Sequence, residues 1–323
     1  MSNHMTNDIL IVGTGRMGAA YANVLRAMSR NMVVIGRGKQ SASQFEKETG
    51  IQPITGGFET WLAHAEHVPN TAIVVLPVEE LASAAHLLLS YGVRRILLEK
   101  PGGLNGSELQ AVRIDAQARN ADVYVGYNRR FYASTLKVLE FIQEDEGVSS
   151  FHFDFSEWSH AISQSDKTPA VKNNWFLANS THVVDLAFYV GGIPRQLNAY
   201  TAGGLDWHPA ASVFSGSGCT DKGALFSYHA NWESPGRWGV ELMTRERRLI
   251  MRPLEQLQVQ HIGSAIIEQA SLEDHLDLMY KPGLYRQTEA FLENSNHASL
   301  VTIEQQCDRW ERIYSLIINA NSD

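Results

Sequence analysis

Four short strings hold the side chains of this chain that can do chemistry. Gly13-Thr14-Gly15-Arg16-Met17-Gly18 can bind phosphate. Glycines at this spacing give a tight turn, a close approach of backbone amides to a pyrophosphate, and close packing of a following helix. The amides and the positive end of that helix together make an anion site. Glu99-Lys100-Pro101 offers an ammonium group that can hydrogen-bond a hydroxyl and stabilise its oxygen as the proton leaves. Burial or a nearby cofactor cation would lower the pKa of Lys100 towards neutrality and let it take part in proton transfer. His182-Val183-Val184-Asp185 sets an imidazole, which titrates near neutral pH, one helical turn from a carboxylate. In Gly126-Tyr127-Asn128-Arg129-Arg130-Phe131, the guanidinium groups of Arg129 and Arg130 suit a carboxylate or phosphate. Each string also has a plainer reading: glycines serving a positive-φ turn, an exposed strand-end lysine, a core histidine satisfied by a carbonyl with Asp185 pairing structurally, and arginines at a surface or domain interface.

The elements that must position these groups are legible around them. Ile9-Leu10-Ile11-Val12 before the first glycine and Ala19 to Leu25 after the last give strand, turn and helix. Further apolar strands are expected at 32–35, 71–76, 95–99 and 122–126, with helices near 41–49, 58–65 and 78–91. Continuous apolar strands joined by helices form a parallel sheet covered on both faces, with the ligand outside the carboxyl ends of the strands. Lys100 stands at such an end. The second strand runs into Gly36-Arg37-Gly38-Lys39-Gln40-Ser41, where an acidic residue would accept from the ribose hydroxyls of NAD. Arg37, helped by Lys39 or Ser41, instead suits a 2′-phosphate and favours NADP. The alternative is a pair of solvated loop charges, with Arg37 stacking on adenine.

Beyond Tyr127 the pattern changes to period two, at 151–156, 224–232 and 238–242, after a helix near 132–143. This predicts an α+β domain on one open, mainly antiparallel sheet. The expected division is a dinucleotide-binding Rossmann domain over 1–126 and a substrate-binding and oligomerisation domain over 127–323. A final helix near 302–319 is free in this reading to pack back on the first domain. Ser234-Pro235-Gly236-Arg237 reads as a type II turn carrying a solvated arginine. Just before His182, Trp175, Asn179 and Thr181 offer aromatic, amide and hydroxyl groups suited to a polyol or sugar ring, with Lys172 preceding them. These too are equally at home on a surface.

With 27 basic against 35 acidic residues, a net charge of −8 and no basic run, nucleic acid is not an expected partner. No apolar stretch reaches the length of about 20 residues that crosses a membrane. The polar residues 1–8 lead straight into the first strand and leave no room for a signal peptide, so a cytoplasmic location is expected. Cys219 and Cys307 fit a reduced enzyme better than a disulfide scaffold, and no zinc-ligand spacing occurs.

Taken in chain order, with 126–131 ahead of 182–185, the four strings resemble the glucose-fructose oxidoreductase / inositol dehydrogenase / MocA (Gfo/Idh/MocA) family over nearly the whole chain. The resemblance implies an NAD(P)-dependent oxidoreductase acting on a sugar or sugar derivative, a cis bond near Pro101, and a homo-dimer or tetramer. It also implies that Glu99, Lys100, and Leu76-Pro77 after the third strand contact the cofactor. Relatives often have histidine where this chain has Leu81, which cannot make that polar contact. They typically carry an aspartate four residues before the helix histidine, completing a Lys/Asp/His catalytic group. Here that position is Ala178. His182 then becomes the leading general base and Lys100 the polarising donor, with Asn128, Arg129, Arg130, Lys172, Trp175, Asn179, Thr181 and Asp185 as candidate substrate contacts. Two rival readings are a redox-neutral epimerase, lyase or glycosidase using bound NAD(P), and a catalytically silent NADP(H) sensor or partner protein.

Overall fold

Four consecutive apolar residues favour a strand covered on both faces, and all four residues of β1 (Ile9–Val12) are buried. In the computed structural model, which describes residues 8–293 and 297–320, β1 lies between β2 (Met32–Ile35) and β3 (Thr71–Val74) in parallel register. β4 (Arg95–Glu99) and β5 (Asp122–Gly126) extend the sheet beyond β3, also in parallel. The helices Arg16–Ala27, Lys39–Thr49 and Val78–Ser90 link the strands as their patterns require. Residues 1–7, part of the segment read as leaving no room for a leader, lie outside the described residues.

One crossover helix, Gly106–Ala118, was not singled out by apolar periodicity; its signal lies in its cap. The Asn105 side chain accepts from the Glu108 amide at 3.0 Å, and the Glu108 carboxylate accepts from the Leu104 amide at 2.7 Å. Asn-x-x-Glu is therefore a reciprocal cap in which two orphan donors are satisfied. Asn105→Ala is expected to cost about 1 kcal/mol of stability, read as a lowered urea midpoint, while Asn105→Asp costs little.

The second sheet has eight strands: β6 (Ser150–Asp154), β7 (Pro194–Ala202), β8 (Val213–Thr220), β9 (Leu225–Asn231), β10 (Gly239–Met243), β11 (Arg247–Met251), β12 (Gln258–His261) and β13 (Ile267–Gln269). They are arranged β13-β12-β11-β10-β6-β9-β8-β7, and all pairs are antiparallel except β6 with β9. The expected fold class, a Rossmann domain followed by an α+β domain with an open, mainly antiparallel sheet, is the one observed. Along β9, Phe226, Tyr228 and Ala230 are buried while Leu225, Ser227 and His229 are exposed, so one face is wet. The helix Thr181–Gly191 covers the dry face: Phe188 meets Phe226 edge to face at 5.1 Å and Phe153 at 5.4 Å. A Cβ at Gly191 would overlap the Phe151 ring, so glycine lets the helix end close onto β6.

After β13 the chain returns to the first sheet, where β14 (Val301–Thr302) pairs antiparallel with β5 as an edge strand. Two compact units result, 1–127 with 278–307, and 128–277 with 308–323. A single cut at residue 126 therefore differs from the observed division by the returning segment. The expected final helix is divided into Ile303–Arg309, a wide turn over Trp310–Tyr314, and Ser315–Ile318.

The turn read at 234–237 is corrected. A type II turn needs positive φ at its second central residue, and Gly236 is not among the positive-φ glycines. Its glycine serves a close approach instead, since a Cβ there would stand 2.8 Å from the Ser156 Cβ. Neither cysteine is in a disulfide. Among the described residues no helix is long and apolar enough to cross a membrane, and no His/Cys/Asp/Glu cluster suits a metal ion.

Candidate functional site

The three glycines of the turn between β1 and its helix, Gly13, Gly15 and Gly18, each do a different job. Gly13 has φ +120°, and a Cβ there would meet the Val75 carbonyl oxygen at 2.6 Å. At Gly18 a Cβ would overlap the Gly13 carbonyl, so helix and turn touch directly. A Cβ at Gly15 meets nothing. No packing inside the protein calls for glycine at that position; it keeps open the space at the start of the helix Arg16–Ala27, whose first amides have no side-chain cap. Gly15 lines a cavity of about 850 Å³ with Thr14, Gly36, Arg37, Ser41, Leu76 and Pro77, all at the carboxyl ends of β1, β2 and β3. A cradle that a side chain would fill, at an uncapped helix N-terminus, fits a dinucleotide pyrophosphate.

At the far side of this cavity the Thr14 hydroxyl donates to Ser41 Oγ at 3.1 Å, and Ser41 donates to the Gly38 carbonyl at 3.0 Å. Arg37 lines the cavity but already pairs with Glu80, Nη1 to Oε1, at 3.3 Å. Both side chains are solvated, so this pair is worth at most about 1 kcal/mol and can exchange for a ligand. Lys39 is exposed and does not line the cavity; Arg16 is exposed and Met17 half-buried at the helix start.

Lys100 follows the last residue of β4, is half-buried, and precedes Pro101 through a cis peptide. Glu99, expected to contact cofactor, is instead engaged within the protein. Tyr21 donates to its Oε1 at 3.0 Å, and Gln287, from the returning segment, donates to Tyr21 at 2.8 Å. Burial pushes the Glu99 carboxyl up, against the opposing pull of Lys100 and Tyr21. The Lys100 ammonium and a largely desolvated carboxyl thus influence one another at the strand end.

In the second unit, His182 is buried, with its ring 5.9 Å from that of Trp238. The residues before it do not form the expected α-turn. Phe176–Ser180 is a π-helical segment and the α-helix starts at Thr181, so Ala178 and His182 are not related by one α-turn. Several candidate contacts are engaged within the protein. Arg130 donates twice to Asp185, each bond 2.7 Å, and Arg309 approaches the same carboxylate at 3.2 Å. With Arg130 and Asp185 at 1% and 2% exposure, this ion pair belongs to the interior. Thr181, fully buried, donates to the Leu177 carbonyl in its own helix. Lys172 donates to the Ser163 carbonyl, and Asn128 is buried in the turn Asn128–Phe131.

Arg129, Trp175 and Asn179 remain as candidates. Arg129 lies 4.9 Å from the Trp238 ring, while Trp175 meets Trp207 edge to face at 6.1 Å. Asn179 leads to a group that sequence reading missed, the buried carboxylate of Glu157. Its Oε1 accepts from Asn179 at 3.0 Å and Ser180 at 2.8 Å, and Arg237 Nη1 approaches Oε2 at 3.3 Å. Burial pushes this carboxyl up, while Ser180, Arg237 and Asn179 pull it back. Arg237 was read as a solvated turn charge; its guanidinium actually sits 4.3 Å from Trp238 and 4.8 Å from Trp158. No local signal marked Glu157, because the partners that hold it lie 22, 23 and 80 residues along the chain.

Residues 8–127 match the model of an oxidoreductase family with an NAD-binding Rossmann fold, Gfo/Idh/MocA. No curated protein sequence matches the chain. Among solved structures, a putative NADPH-dependent oxidoreductase from Desulfitobacterium hafniense superposes with a TM-score of 0.78 at 14% identity, covering 98% of this chain and 96% of that one. UDP-N-acetylglucosamine 3-dehydrogenase from Acidithiobacillus ferrooxidans gives 0.71 at 15%, covering 98% and 99%. A levoglucosan dehydrogenase, in complex with NADH and levoglucosan, gives 0.74 at 16%, covering 98% and 97%. At these identities the likeness is one of fold.

Proposed function

We propose, from the match of residues 8–127 to the NAD-binding Rossmann model of the Gfo/Idh/MocA oxidoreductase family, that the whole chain is an NAD(P)-dependent dehydrogenase of that family, favouring NADP, that acts on a secondary alcohol or ketone of a sugar or sugar derivative. The observation that carries the cofactor reading is Gly15, a glycine that nothing in the protein needs and that opens a helix N-terminus into the cavity. The sugar reading draws on the fold shared with structures titled levoglucosan dehydrogenase and UDP-N-acetylglucosamine 3-dehydrogenase.

When bound, the nicotinamide supplies the site that accepts or donates hydride. Everything else falls to the chain. In the first unit, Lys100 at the end of β4 is the group that can hydrogen-bond a hydroxyl and stabilise its oxygen as the proton leaves. In the second unit, His182 is the group that can take a hydroxyl proton in oxidation and return it in reduction. No carboxylate stands at Ala178, so the imidazole is the base itself in this scheme.

The test is a panel of sugars, sugar acids and nucleotide-linked sugars with NAD and NADP, following reduced nicotinamide. Stoichiometric reduction on one member supports a dehydrogenase; turnover without net reduction would replace it with redox-neutral chemistry, and absence of any dinucleotide binding would overturn it. Arg37→Ala is expected to weaken NADP(H) about tenfold to hundredfold, the worth of a charge-assisted bond to phosphate, while leaving NAD(H) within about threefold. Glu80→Gln works in the opposite direction. Removing the carboxylate that shares Arg37 should tighten NADP(H) several-fold, as read by tryptophan quenching.

A further inference from the structure

Arg237 is held in a way that a solvated surface arginine is not. Its guanidinium lies against two indoles, Trp158 at 4.8 Å and Trp238 at 4.3 Å, and one nitrogen, Nη1, faces the buried Glu157 carboxylate at 3.3 Å. The loop bearing it is itself fixed. Trp158 Nε1 donates to the Gly236 carbonyl at 3.1 Å, Arg252 donates to the Arg237 carbonyl at 3.2 Å, and Gly236 fits closely over Ser156. Yet the Arg237 side chain is 44% exposed and Trp158 is 53% exposed. A long side chain pays rotamer entropy when it is ordered by a ligand; here the cost is met beforehand by packing.

Arg129 shares the Trp238 ring with Arg237, and Arg252, which donates to the Arg237 carbonyl, lies 3.8 Å from Asp154. The same Trp238 ring packs against His182. A pre-ordered, partly exposed guanidinium matches the oxygens of a carboxylate or phosphate. A neutral hydroxyl would leave most of that charge unused.

We propose that Arg237, clamped by Trp158 and Trp238 and backed by Glu157, binds an anionic group of the sugar, a carboxylate or a phosphate. The assignment rests on the sugar reading above and narrows it to acidic or phosphorylated sugars. Glu157 is a positioning residue in this scheme: it aligns Arg237 on one oxygen and holds Asn179 and Ser180 with the other.

The test needs no turnover. The full chain is titrated with D-glucuronate, D-glucose 6-phosphate and neutral D-glucose, following the emission of the tryptophans that flank Arg237. One of the two anions is expected to bind about tenfold to hundredfold more tightly than glucose, the worth of a hydrogen-bonded charge. Which anion does so identifies the carboxylate or the phosphate as the natural group. Arg237→Gln should erase the preference, and Trp158→Ala, which removes the exposed jaw of the clamp and its hydrogen bond to the Gly236 carbonyl, should reduce it severalfold. Equal affinity for glucose and both anions, binding of none of them, or a preference that survives Arg237→Gln would overturn the assignment. Failure of the dehydrogenase reading shows separately, as no reduction of NAD or NADP by any sugar.

Discussion

Asp185→Ala is expected to lower the unfolding free energy of the second unit by about 3–5 kcal/mol, the cost of leaving a buried charge without its partner. The carboxylate receives both N–H edges of Arg130 at 2.7 Å and a third approach from Arg309 at 3.2 Å, and its side chain is 1% exposed. Burial works against the Arg130 charge, but the Asp185 carboxylate outweighs it and raises the guanidinium pKa. A guanidinium keeps its proton inside proteins, so Arg130 is left as a buried charge against the Tyr189 ring when Asp185 is removed. Asp185→Asn, which keeps an acceptor for one edge, should cost less than the alanine variant. Urea unfolding followed by tryptophan emission reads this unit well, since of seven tryptophans only Trp61 lies in the other. A loss below about 1 kcal/mol for the alanine variant would mean that water replaces the carboxylate and that the pair is not sealed from solvent.

This pair also shows where sequence reading stops. Arg130 and Asp185 carry the residue types of a binding site, and nothing local distinguishes a guanidinium waiting for a ligand from one satisfied 55 residues away. Arg237 is the opposite case: the string Ser-Pro-Gly-Arg reads as a turn, and the partner that fixes the arginine, Glu157, lies 80 residues back on another strand end. The glycine fingerprint was legible because its three steric jobs are local to six residues. So were the apolar strands, whose burial on both faces is written in four or five consecutive side chains. Two features left no such trace. β14 is two residues long and becomes a strand only because the edge of β5 accepts it. The π-helical turns ahead of His182 depend on how Phe176, Leu177 and Ala178 pack, and helical spacing counted at 3.6 residues per turn cannot register them.

That altered spacing bears on the most demanding test of the chemistry. His182→Asn and Lys100→Met are each expected to lower kcat by about 10²–10⁴-fold on the sugar identified by the panel, the range of a lost acid–base group. Dinucleotide affinity should change little in His182→Asn, because His182 does not line the cavity that Gly15 opens, whereas a weakened affinity in Lys100→Met would report the cofactor contact expected of that lysine. The two variants should differ in their pH dependence. If the imidazole is the base, the wild-type rate of sugar oxidation falls as pH drops through the range in which His182 becomes protonated, and His182→Asn loses that limb. Lys100→Met should keep it, since this lysine polarises the oxygen without having to take its proton. A His182→Asn enzyme that keeps more than about a tenth of its kcat would transfer the base role elsewhere. Glu157 would then come first, because its carboxylate is held by Asn179 and Ser180, the two residues that follow Ala178, the position where the resemblance leads one to expect an aspartate. Glu157→Gln, measured alongside, separates the two cases: as a positioning residue it should shift KM more than kcat, and as the base it should remove the pH limb that His182→Asn left intact.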